Sequence, residues 1–315
     1  MQSRITGGTA HPWLVLLLLL PVLIFAAGSR AQGDKPAEKK KPIERPDWLD
    51  EMDKTGPGTV MPLDPCTFEL TFSWSNLVTA GRANVLIGDT ENPEYPGHLI
   101  ARAEGGSAGL ARALYKYNFT MWGALDPDSL KAVKFNSVET GKDDVTKTDN
   151  SRDKYGVLSL TEIFDKKGKS LKTRRIRFPF DEAYDLLGAL LYLRSLEFTE
   201  LGETASVIAH PFGGAYLVHL TYEGREKHDT AFSTHDCLRF KIGVEKLTKG
   251  DGVLIRKKYE KFERATLWVS DDEYRLPIEV EAKIFIGSIR ATMSKRFWLD
   301  PAKATAEKKA TKNKK

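Results

Sequence analysis

Residues 278–293 read IEVEAKIFIGSIRATM, and their alternation decides the fold class. Ile278, Val280, Ala282, Ile284 and Ile286 fall on one side, with Glu279, Glu281 and Lys283 on the other. After Gly287 the pattern resumes, Ile289, Ala291 and Met293 opposing Ser288, Arg290 and Thr292. A period of two with one dry and one wet face belongs to antiparallel strands covered on a single side.

The same pattern opens the domain. Phe68, Leu70, Phe72 and Trp74 alternate with Thr67, Glu69, Thr71 and Ser73. Residues 83–87, 99–103, 114–122, 132–139, 157–164, 172–178, 204–210, 215–222, 232–244 and 254–269 also have strand character. Turn chemistry separates them, as at Asp126-Pro127-Asp128, Lys166-Lys167-Gly168 and Lys249-Gly250-Asp251-Gly252. Short connections and the lack of strand–helix alternation predict a mainly β fold. Its form is one curved antiparallel sheet, a half-barrel or partly closed barrel.

One segment departs from this rule. Asp181 precedes EAYDLLGALLYLRSLEF, where it would cap the first turn of a helix. Leu186, Leu187, Leu190, Leu191, Leu193 and Leu196 cover more than one helical stripe, so this single apolar helix is expected inside the curve of the sheet. Gly188 within it is expected to mark close approach to a strand.

The chain has 315 residues, 41% of them hydrophobic and 29% charged, enough for a sizeable core. Its net charge of +5 is uneven: residues 55–299 carry no net charge and residues 300–315 carry +4. A neutral body argues against nucleic acid as a partner, and the lysine-rich end is expected to be a solvated tail capable of weak contact with anionic surfaces. Trp13–Ala27 is an unbroken apolar run of 15 residues with Arg4 before it and Ser29-Arg30-Ala31 after it. That is the form of a secretory signal, shorter than the roughly 20 residues of a membrane span, with cleavage expected before Gln32. The excess of Lys and Arg beyond the run supports the alternative of an uncleaved N-terminal anchor. The expected organisation is therefore a signal peptide (1–31), a charged disordered linker (32–65), a single β-rich domain (66–299) and a basic tail (300–315), in an exported, periplasmic or extracellular protein.

Three stretches, FSWSNLVTAG (72–81), DEAYDLLGALLYLR (181–194) and LWVSDDEYRLPIEVEAKIFIGSIRATM (267–293), resemble the bacterial domain-of-unknown-function 3108 family. Residues 110–135, LARALYKYNFTMWGALDPDSLKAVKF, are similar too. The resemblance covers about residues 66–297. It implies an exported, mostly β protein of uncertain function, shaped like the half-barrels that carry lipids or lipoproteins in bacterial envelopes.

Tyr115, Tyr117, Phe119 and Met121 share a face which, opposite Phe72 and Trp74 and beside Leu187 and Leu191, would line an apolar pocket for a lipid-like ligand or envelope component. The competing expectation is that these groups pack on the helix and the protein is a structural or assembly component without a small-molecule ligand. Trp268, Asp271, Asp272, Arg275 and Pro277 form a dense cluster read as a structural turn clamp, with Arg275 neutralising an acid and Arg194 pairing with Asp271 or Asp272. A hydrolase using either acid is a third class.

His228-Asp229 and His235-Asp236 are seven residues apart, which in one extended strand places the imidazoles on opposite faces. No metal site is expected there. Gly105-Gly106-Ser107-Ala108-Gly109 reads as a loop before a strand. Without a nucleophile elbow, phosphate loop or dinucleotide fingerprint, no catalytic residue, enzyme activity or cofactor is expected. Cys66 and Cys237 admit two readings, a disulfide or two separate buried thiols.

Overall fold

The first strand of the domain pairs with the last, and that pairing organises the molecule. In the computed structural model, residues 43–50, 52, 58, 64–75, 78–89, 92–210, 214–250, 252–259, 264–283, 287–300 and 302 are described. The apolar run at 13–27 and the tail from 303 lie outside them, as do Ile284 and Ile286. Strands β1 (Cys66–Trp74), β2 (Val78–Asp89), β3 (Leu99–Ser107), β4 (Asn118–Leu125), β5 (Ala132–Thr140), β6 (Asp144–Asp153), β7 (Gly156–Asp165) and β8 (Ser170–Phe178) follow one another as an antiparallel meander. A second run comprises β9 (Ala183–Tyr184), β10 (Thr204–Ala209), β11 (Ala215–Asp229), β12 (Thr234–Lys249), β13 (Leu254–Lys258), β14 (Arg264–Ser270), β15 (Pro277–Lys283) and β16 (Ser288–Trp298). Pairing of β1 with β16, from Cys66 against Trp298 to Trp74 against Ile289, joins the two into one 16-stranded sheet. Every ladder is antiparallel except β9 with β10, and β13 branches from β12.

The apolar side of the alternation read from sequence is the side that meets the core, but the side expected to be wet is not uniformly so: Glu279 on β15 and Thr292 on β16 are buried there, Thr292 Oγ1 donating to Glu279 Oε2 (2.7 Å). Cys66, Phe68, Leu70 and Phe72 are buried, as are Ile278 and Ala282 on β15 and Ile289, Ala291 and Met293 on β16, all in one cluster. Full burial of side chains such as Phe68 and Phe72 contributes about 1.5–3 kcal/mol each. The sequence missed β6, whose DVTKTDNSRD has little β propensity. It forms because β5 and β7 pair with it on both sides, burying Thr148 and Asn150.

The free ends of the sheet overlap. Register carries the inward face from Phe119 and Phe135 round to Val157 and Phe178. From the other side it carries the inward face to Val207, Ala209 and Tyr216, leaving Ile208, Leu217 and Leu247 facing outward. Val157 and Phe178 nevertheless share a second core cluster with Ile208, Ala215, Leu217, Leu247 and Leu254. The β7–β8 end therefore lies over the outward face of β10–β12. Polar bonds cross the same seam: Asn150 Nδ2 donates to His210 O (3.0 Å), Lys249 Nζ to Arg177 O (2.6 Å) and Arg152 to Ala183 O.

Helix α1 (Asp47–Asp50) corrects part of the expected linker. Leu49 is fully buried in the seam cluster, Glu44 N–H donates to Gly252 O (2.8 Å), and Arg45 pairs with Asp50 and Glu182. The apolar seam would otherwise face water, so this segment docks rather than staying solvated. Helix α2 (Gly109–Leu114) corrects the loop expected at 105–109: Gly105–Ser107 complete β3, and β4 starts four residues later than expected.

Helix α3 (Leu186–Ser195) is the apolar helix, with Leu187, Ala189, Leu191 and Tyr192 in the main cluster beside the inward faces of the strands. Its cap is Asp185, not Asp181. Asp185 Oδ1 accepts from Leu187 N (2.7 Å) and Gly188 N (3.0 Å), while Asp181 pairs with Arg152 and Lys131. Bridging of Ala183 and Tyr184 to Ile208 and Ala209 keeps the chain extended past Asp181, so the helix cannot begin there. Burial pushes the Asp185 carboxyl up to about 6, against the opposing pull of the two amides. A Cβ on Gly188 would fall on the carbonyl oxygen of Leu130, so the close approach is to the turn between β4 and β5.

Candidate functional site

The six residues expected to line a ligand pocket come together, but as core. Phe72, Tyr117, Phe119, Leu187 and Leu191 are buried in one cluster, with Trp74 packed against it. One space between α3 and the wall is about 50 Å³, bounded by Phe68, Leu191, Phe198, Phe240 and Leu267, and of the six only Leu191 touches it; another of about 260 Å³ meets α3 at Tyr192 and the wall at Val207. Room for a drug-sized or larger ligand starts near 300 Å³.

An acid, Glu139, reaches the inward face. Glu139 lies opposite Phe119 on β5, where Tyr117 donates its hydroxyl to the carboxylate (3.0 Å). Desolvation pushes Glu139 up to about 8, and burial, reinforced by Glu139, drives Tyr117 well above the usual phenol range. The sequence reading did not single out Glu139; its position one β5 register step from Ser137 and two from Phe135 was the available signal.

The polar cluster forms with different partners than expected. Asp272 Oδ1 accepts from Ser270 Oγ (2.7 Å), Tyr274 N (2.9 Å) and Arg275 N (3.1 Å), the geometry of an acid organising the turn between β14 and β15. Asp271 pairs with Arg225 (2.8 Å). Arg194 bonds backbone instead, Nε donating to Tyr274 O (2.5 Å), and Arg275 Nη1 donates to Leu196 O (2.6 Å). Both guanidiniums meet a chain reversal whose carbonyls lack partners in a ladder or helix, which is where an arginine fork bonds best. Burial holds Arg194 down to about 10.

Cys66 and Cys237 are free, buried thiols, in strands separated across the sheet by β16, β15 and β14. Desolvation pushes them up to about 11 and about 12. The placement of His228 and His235 on opposite faces is corrected: the hairpin between β11 and β12 makes them direct cross-strand partners. His228 stacks on Trp268 with ring centroids 4.2 Å apart and lies 3.3 Å from the buried Glu279. Among the described residues, no group of three or more His, Cys, Asp or Glu is placed to hold a metal.

The larger open space is on the outward face. A groove of about 540 Å³ runs beside α1 between Trp48, Met52, Phe198 and Leu217 on its apolar side and Glu203, Ser206, His219 and Arg256 on its polar side. Its volume lies within the range of small-molecule sites. Sequence reasoning missed it because its floor belongs to β10 and β11 and its wall to a segment more than 140 residues away.

The profile of a family described as "Protein of unknown function (DUF3108)" matches residues 67–294. The chain belongs to this family. Its resemblance to the family was legible in the helix and closing strands. Among solved structures, the chain is similar to a β-barrel-like protein of the DUF1849 domain of unknown function from Brucella abortus. Identity there is 10%, coverage 76% of this chain and 100% of that one, and the TM-score 0.46. It is also similar to a protein with a YmcC-like fold, taken to be exported, from Bacteroides fragilis (7% identity, 76% and 99% coverage, TM-score 0.30). A third, taken to be a lipoprotein, is from Parabacteroides distasonis (8% identity, 78% and 100% coverage, TM-score 0.29). No curated protein matches. Among the described residues, no helix is long and apolar enough to cross a membrane.

Proposed function

We propose that this DUF3108 protein is an exported component of the bacterial envelope that works from its outer surface, as a structural or assembly protein, rather than by carrying a lipid inside its sheet. The observation supporting this reading is the packing of α3 against the wall at Phe68, Phe240 and Leu267, where about 50 Å³ is left open. A lipid carrier of this architecture needs several times that volume to enclose an acyl chain. Phe72, Tyr117, Phe119, Leu187 and Leu191 then serve as packing for the helix. Export rests on the apolar run Trp13–Ala27 with its small residues at Ser29 and Ala31.

The test is purification of the full chain from its bacterial host. Expected outcomes are a mature N-terminus near Gln32 and native mass spectra of apoprotein with no extractable lipid. Stoichiometric lipid would overturn the filled-interior reading, and a retained residue 1–31 segment in the membrane fraction would replace cleavage by anchoring.

A further inference from the structure

A serine and an imidazole of the outward groove stand in sequence with a carboxylate beside it. Ser206 Oγ lies 2.7 Å from His219 Nδ1, and His219 Nε2 lies 3.7 Å from Glu245 Oε1. Three adjacent strands supply them, with Ser206 opposite His219 in register and Gly243 completing the row on β12, two residues before Glu245. Glu245 is held ionised by Arg256, which donates from Nη2 to Oε1 (2.9 Å) and from Nε to Oε2. That carboxylate favours the tautomer with hydrogen on Nε2, leaving Nδ1 to accept from the Ser206 hydroxyl. Desolvation lowers the imidazole pKa, opposed by Glu245 and reinforced by the Arg256 charge, which favours the unprotonated ring that can accept a proton.

The backbone adds a donor. Tyr222 N–H donates to Glu203 O (2.8 Å), which makes the alternate pair Ser206/His219 one without ladder bonds and with close side chains. Ser206 N–H therefore points to the other edge of β10, the side on which His210 N–H donates to Tyr184 O (2.7 Å). Strand β9 covers that edge only at Ile208 and Ala209, so among the described residues no strand covers it at Ser206.

We propose that Ser206, His219 and Glu245 form a nucleophile, base and positioning acid for hydrolysis of acyl esters, the acyl chain lying along Trp48, Met52 and Phe198. Ser206 Oγ attacks the ester carbonyl carbon while its proton passes to His219 Nδ1, and Ser206 N–H bonds the oxyanion. Collapse breaks the ester C–O bond, the departing alkoxide takes the proton from Nδ1, and an acyl-serine remains. Water then adds to the acyl carbon, giving a proton to Nδ1, and release of the carboxylic acid returns that proton to Ser206. The net reaction is ester plus water to acid plus alcohol. Glu245 acts only through His219.

The proposal goes beyond the filled-interior reading and does not depend on it, since Ser206, His219 and Glu245 lie on the outward side of β10–β12. The test uses the full mature chain with a fluorophosphonate probe and 4-nitrophenyl butyrate. Expected results are labelling that maps to the Ser206 peptide, and a fall in ester hydrolysis of about 100-fold or more in Ser206→Ala and in His219→Gln, each with an unchanged circular dichroism spectrum. Glu245→Gln removes the anion beside His219, so the acidic limb of the pH–rate profile moves to lower pH. A native chain that labels no more than heat-unfolded protein, labelling that survives Ser206→Ala, or a limb that stays in place would overturn the relay.

Discussion

Arg194 and Arg275 cap each other's chain reversals. Arg194, in the last turn of α3, donates to the carbonyl of Tyr274 in the β14–β15 turn, and Arg275 of that turn donates to the carbonyl of Leu196 at the helix C-cap. Arg275 adopts φ 44, a left-handed conformation that costs energy for a residue with a side chain. Hydrogen bonds from charged groups contribute about 1.5–3 kcal/mol each, enough to offset that strain. Arg194→Met and Arg275→Gly are expected to lower stability by about 1–3 kcal/mol each. A double-mutant cycle by urea unfolding should show coupling above about 0.5 kcal/mol, because the exchange locks one helix to one turn. Strictly additive losses would show the two bonds to be independent.

Leu49 holds the N-terminal segment across the seam. It is fully buried among Ile208, Leu217 and Leu254, so Leu49→Ala should cost about 2–5 kcal/mol. A change below about 0.5 kcal/mol in thermal or urea unfolding would mean that the segment is not docked in solution.

The two cysteines are predicted to remain thiols. With pKa values pushed up to about 11 and about 12, neither is a thiolate at neutral pH, so both should react slowly with Ellman's reagent in native protein and rapidly in denaturant. An intact mass about 2 Da below that of the reduced chain would contradict the free pair.

Glu139 should make stability fall with rising pH. Its folded pKa of about 8 exceeds the ordinary 4.5, so the folded state holds a proton that the unfolded state releases between those values. The contribution is complete below pH 4.5 and is lost as pH rises through about 8. Glu139→Gln keeps an acceptor for Tyr117 and should flatten the profile over this window, raising stability at pH 8 relative to wild type. Identical pH profiles for the two proteins would remove Glu139 as the source.

His210 works in the opposite direction. Buried at the seam and held down to about 4 from 6.5, it stays neutral in the fold while the unfolded chain takes up a proton, so its share of stability is lost as pH falls from 6.5 to about 4. His210→Phe should reduce acid lability across that range, measured as the midpoint of unfolding against pH; an unchanged slope would refute it.

What the sequence determined by itself was which side of the opening and closing strands meets the core. Phe68, Leu70 and Phe72, and later Ile278, Ala282, Ile289 and Ala291, show this because a period of two is a local property of the extended chain. The apolar helix was equally legible, since leucines on most of its sides leave it no wet face. Closure was not legible. Which strand pairs with which, how far the sheet rolls, and that Val157 and Phe178 cover the outward face of β10–β12 depend on contacts between residues distant in sequence. For the same reason β6 was invisible and Asp185 displaced Asp181 as the cap. Arg194 likewise met the carbonyl of Tyr274 while Asp271 met Arg225, and Ser206 came to face His219. Each was decided by what the rest of the chain brought alongside, and alternation along a single strand carries no record of its neighbours.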